Sequence, residues 1–119
     1  MGAVTINVAI ELEGGSAHDL AKAERLVEGM PEIFQAMVAE RHAQDLQWGG
    51  AAHDDTHAPI DWEALLDEHV GRLTRVEGTH FVSAPDYRRR LVKVGALVVA
   101  ALQSHDRRQA AEQEGRADA

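Results

Sequence analysis

Three groups of residues have types and spacings that could do chemistry. The first is Asp67, Glu68 and His69, with Arg72 a turn further on and Arg90 and Lys93 in a later segment. Carboxylates and imidazoles ligate divalent metals, and cations in such an array hold phosphate. The second is His53, Asp54 and His57, a histidine–carboxylate cluster able to bind zinc, manganese or iron. The third is Gln44 with Trp48, which suits a nucleobase: the indole stacks and the amide bonds the base edge. Each has an ordinary reading beside it. Arg72 pairs with Glu68 at i, i+4. Asp54 and Asp55 organise a turn ahead of Pro59. Trp48 caps a hydrophobic core, and His69 is a core histidine.

The elements that must position these residues are mostly helical. Leu91–Leu102 reads LVKVGALVVAAL, and Val94–Leu102 runs without a polar side chain. The spacing predicts a helix over 84–108, opened by Ser83 with Asp86 three residues on and by Pro85 in the first turn. Apolar nearly all round, it is expected to be buried, and it is too short in apolar length to span a bilayer. Gly95 and Ala96 would admit a close neighbour. Arg88, Arg89 and Arg90 oppose the helix dipole at its start, which favours a bound anion or an acidic partner. Trp62, Leu65, Leu66, His69, Val70, Leu73 and Val76 form an amphipathic stripe over 61–76, capped by Asp61, with Trp62 in the core. Helices are also expected over 17–28 and 31–47, with Gly29 between them and Pro31 in the first turn of the second. Residues 49–59 read as a loop, and 109–119 as a flexible tail.

Residues 3–12, AVTINVAIEL, alternate apolar and polar with many β-branched side chains and predict one strand. Its partner would be the same strand of another subunit or the GTHFV stretch at 78–82. The 119 residues fit one domain, 1–108, with the tail beyond it. There is no cysteine, so disulfides and thiolate metal sites are excluded. The net charge of −8 argues against general nucleic-acid binding. The charge is uneven: residues 1–69 carry 14 acids and 3 bases, residues 70–119 carry 6 acids and 9 bases. An anion belongs with the second half. No signal peptide is visible, so a cytoplasmic location is expected.

The succession AERHAQDLQWGG, then His53, then DWEALLDEHVG, then YRRRLVKVGALVVAALQSHDRR resembles the phage MazG-like proteins of the all-α nucleoside triphosphate pyrophosphohydrolase group. The resemblance covers roughly residues 36–108. It implies a mainly α, MazG-like four-helix bundle, here with one N-terminal β-strand, assembled as a homo-oligomer (dimer or tetramer) in the host cytoplasm. It also implies metal-dependent hydrolysis of a (deoxy)nucleoside triphosphate to monophosphate and pyrophosphate, with Mg2+ or Mn2+ held by helix carboxylates and activating water. On this chain the family's first motif glutamate falls on Glu68, the second on His69 and the third on Arg72; the later helix places Arg90 and Lys93 at its corresponding positions. An active protein would ligate metal through Glu68 and His69 with Asp67 or His53, Asp54 and His57 assisting, hold phosphates with Arg72, Arg90 and Lys93, and read the base with Gln44 and Trp48. In the alternative, the cations stand in for the metal. The protein then needs no metal and is inactive: it binds a nucleotide signal, or docks on a host protein through the acidic face of residues 1–69.

Overall fold

The computed structural model describes residues 17–78 and 81–117. The expected strand at 3–12 lies outside these residues. The chain is mainly helical, with no strand among the described residues: α1 is Ala17–Leu26, α2 Met30–Trp48, α3 Ala51–Asp54, α4 Pro59–Val70 and α5 Ala84–Ala117. It forms two units, residues 1–36 and 37–119. In the first, α1 ends in a turn at Gly29, whose φ of 69° is costly for any residue with a β-carbon. All candidate site residues belong to the second unit.

In the second unit, α2 stops at Gly49 and Gly50, whose φ angles of 104° and 74° let the chain break out of the helix and start α3 at once. The stretch expected to be a loop at 49–59 is therefore partly helical and is clamped from both sides. Arg41 of α2 reaches Asp54 at 3.1 Å, and both side chains are largely buried. Arg107 of α5 binds Asp55 through Nε and Nη2, Ser104 donates to the same carboxylate at 2.8 Å, and Arg108 donates to the carbonyl of His57. The Arg107 guanidinium, helped by Ser104, holds the Asp55 carboxyl below the usual range.

Helix α4 begins two residues earlier than Asp61 suggests. Pro59 occupies the first turn, and the Asp61 carboxylate accepts from the Ala58 N–H at 2.8 Å, so Asp61 caps from inside the helix. It ends at Val70, short of the expected 76. Gly71 lowers helix propensity there. Arg90 then takes the carbonyls of Arg72 and Arg75, at 2.8 and 2.6 Å, which a continuing helix would have used itself.

Helix α5 starts as expected, with the Ser83 hydroxyl accepting from the Asp86 N–H. It runs past 108 to Ala117, because Gln, Ala, Glu and Arg are strong helix formers. Its apolar segment is not buried on all sides. Ala96, Ala100 and Ser104, one turn apart, are buried, and α3 and α4 pack against α5. The opposite side, with Leu91, Val98 and Leu102, stays exposed. Small side chains let the neighbours come close, and Trp62 is buried, as its place on the stripe required. Gly95 serves a second neighbour: a β-carbon there would meet the terminal methyl of Met37 on α2. That methyl is the flexible end of its side chain. Gly95→Ala is therefore expected to leave the urea midpoint unchanged or raised, since Ala gains about 1 kcal/mol of helix propensity over Gly. No described helix is long and apolar enough to cross a membrane.

Candidate functional site

Two cavities adjoin in the second unit. The larger, about 380 Å³, has Gln44 and Trp48 from α2, His53 and Asp54 from α3, His57 from the turn after it, and Trp62 from α4 on its walls. The smaller, about 300 Å³, is lined by His69, Arg72, Arg75, Arg89, Arg90 and Lys93. His69 and Lys93 belong to both, so they form the partition. One chamber is aromatic and amphipathic, and the other is almost wholly cationic.

The aromatic wall is continuous. Trp48 stacks on His53 with ring centres 5.9 Å apart, His53 meets His57 edge-on at 5.0 Å, and His57 meets Trp62 at 4.9 Å. Trp48 does not cap the core; it is 57% exposed. Gln44 is buried and its amide is engaged on both sides, accepting from Arg41 at 3.2 Å and donating to Glu40 at 3.5 Å. Glu40 and Arg41 line the same cavity. Arg41 stands on the same polar helix face as Gln44 and Trp48, at i, i+3, i+7, but the sequence gives it no partner, because Asp54 lies 13 residues away across a stretch expected to be a loop. The one available signal was its position one turn before Gln44.

In the cationic chamber the groups differ in how far they are committed. Arg72 is paired with Glu68 at 2.7 Å, the local i, i+4 pair, and both are exposed. Arg90 spends one guanidinium nitrogen on two backbone carbonyls. Lys93 has no hydrogen-bond or ion-pair partner among the described residues, which leaves its ammonium ready for a ligand. His69 is half-buried. Burial first, then Lys93, push its pKa below the ordinary histidine value; Arg72 adds to this and Glu68 partly opposes it. At pH 7 the imidazole is neutral.

This has a consequence for stability. A histidine whose native pKa lies below its unfolded value binds fewer protons folded than unfolded, so stability falls as pH drops through about 6.5. Urea midpoints at pH 7.5 and 5.5 should differ less for His69→Gln than for the natural chain.

The metal set expected from the sequence does not assemble. Glu68 and Asp67 line neither cavity, and Glu68 is held by Arg72. The Asp54 carboxylate faces the Arg41 guanidinium, and His53 and His57 are engaged ring to ring. Among the described residues no three His, Asp or Glu side chains converge to hold a metal ion. Magnesium requires convergent oxygen ligands, and these residues do not fit it. The arrangement is suited to an anion with an aromatic or planar appendage. Compared with known proteins, the chain matches no family model, no curated protein and no solved structure.

Proposed function

We propose that residues 37–117 bind a nucleoside polyphosphate, with the base against Trp48 and the phosphates among Arg72, Arg75, Arg90 and Lys93, and that they hold it without cutting it. The observation that carries this reading is the shared partition: a stacking wall and a cationic chamber meet at His69 and Lys93. Base stacking on an aromatic ring is worth about 1–3 kcal/mol and tolerates any base. Charge-assisted bonds to phosphate add about 1.5–3 kcal/mol each. The resemblance to the all-α nucleoside triphosphate pyrophosphohydrolases points to the same ligand class. Hydrolysis in that manner calls for carboxylates gathered on a metal, and Glu68 is turned to Arg72 instead. The architecture proposed with this reading is a bundle of four helices of one chain, assembled as a homo-oligomer.

The test uses Trp48 as its own reporter. A Trp62→Phe variant leaves one tryptophan, and ATP, GTP, CTP, UTP and inorganic tripolyphosphate are titrated against its emission. The nucleotides are expected to quench it; tripolyphosphate is expected to compete without quenching. Trp48 emission unmoved by all four nucleotides at millimolar concentration would overturn the reading.

A further inference from the structure

Glu40, Gln44 and Trp48 stand one turn apart on α2, and all three line the larger cavity. The hydrogen bonds around Gln44 fix which way its amide faces. Its carbonyl oxygen accepts from Arg41 at 3.2 Å, so its NH2 group is turned toward Glu40, where one hydrogen makes a long bond of 3.5 Å. The other hydrogen has no partner among the described residues. Arg41 is itself taken up by Asp54, Asp45 and Gln103. Glu40 is half-buried and forms no ion pair among the described residues. A carboxylate so placed repels phosphate, and its oxygens lose water without gaining donors. Only a ligand that brings N–H or O–H groups to it compensates this.

Gln44 and Glu40 together offer one N–H donor beside two carboxylate acceptors, with the two head groups 3.5 Å apart. The Watson–Crick edges of the bases meet this pattern differently. Guanine presents the carbonyl oxygen O6, then N1–H, then the 2-amino group. That is one acceptor followed by two donors, a match at every position. Uracil matches at O4 and N3–H, but its second carbonyl then faces the carboxylate. Adenine and cytosine give a single amine to Glu40 and a ring nitrogen to Gln44, so one carboxylate oxygen stays unmet. Both bonds that guanine makes to the carboxylate are charge-assisted, the stronger kind.

We infer that this wall selects guanine: Glu40 accepts from N1–H and from the 2-amino group, and the Gln44 amide donates to O6. The inference rests on the nucleotide reading above and gives Glu40 the part of a specificity-determining residue, which stacking on Trp48 cannot supply.

Calorimetric titration of the full chain with GTP, dGTP, ITP and ATP tests it. ITP is GTP without the 2-amino group. GTP is expected to bind at least about tenfold more tightly than ITP or ATP, since a site built to bond a group rejects the analogue lacking it. Affinity for dGTP is expected within about threefold of that for GTP, because the sugar takes no part. In Glu40→Gln, with helical circular dichroism unchanged, the preference for GTP over ITP is expected to fall to about threefold or less. Equal affinities of the natural chain for GTP, ITP and ATP would overturn the inference and leave the nucleotide reading standing. A preference that survives in Glu40→Gln would overturn it too, giving selection to another residue. GTP and ITP binding alike while dGTP binds weakly would contradict it by placing Glu40 on the ribose hydroxyls. Absence of binding by all four would end the nucleotide reading itself, and this inference with it.

Discussion

Lys93→Glu is expected to lower nucleoside triphosphate affinity at least about 100-fold while the protein stays folded. Lys93 belongs to both cavities and has no competing partner among the described residues. Its replacement removes a charge-assisted bond of about 1.5–3 kcal/mol and sets a negative charge where phosphate must sit; 2.7 kcal/mol is already about 100-fold. The side chain is exposed, so the fold has little to lose. Calorimetric titration reads the affinity directly. Glu68→Gln is the matched control. Its carboxylate sits outside both cavities and neutralises Arg72, so affinity should hold or rise slightly as Arg72 is released. Equal losses in the two variants would mean that the cationic chamber is not where phosphate binds.

Asp54→Ala is expected to destabilise the second unit by about 3 kcal/mol. Removing one partner of a largely buried ion pair leaves the other charge poorly compensated. Here that charge is Arg41, which keeps only the longer pair to the exposed Asp45 at 3.5 Å and which also positions Gln44 and reaches Gln103 of α5. The loss should appear in the urea midpoint and should carry Trp48 with it, since α3 holds the ring of His53 against that indole. Asp54→Asn keeps one hydrogen-bond acceptor and should cost less than the alanine. Were Asp54→Ala as stable as the natural chain, the clamp between α2 and α3 would have no weight in the fold.

Local chemistry was legible in the sequence and long-range pairing was not. Ser83 with Asp86 marks the start of α5 through a hydroxyl bond three residues on, and Glu68 with Arg72 pairs within one turn. Trp62 on its stripe is buried. Arg90 with Lys93 on α5, and Gln44 with Trp48 on α2, share a helix face by spacing alone; Arg72 joins the first pair from another element, a grouping that the resemblance implied and local spacing does not contain. The segment around residues 49–59 escaped because its order comes from outside it: Arg41, Ser104, Arg107 and Arg108 fix Asp54, Asp55 and the carbonyl of His57 across large sequence separations. The early end of α4 has the same kind of cause, Arg90 capturing two carbonyls from another helix. The even apolarity of 91–102 concealed that α5 has one face for its own chain and another left open. Residue types alone suggest a metal site, but a sequence does not contain their directions: Asp54 turns to Arg41 and Glu68 to Arg72.

The most direct measurement is calorimetric titration of the full chain with a nucleoside triphosphate in the presence of a chelator, repeated with magnesium, the recovered mixture then being assayed for pyrophosphate. Capture by cations predicts saturable binding in the chelator, at most a modest change with magnesium, and no pyrophosphate in either case. Binding that appears only with magnesium and is followed by pyrophosphate release would contradict it and return Glu68 and His69 to the role of metal ligands.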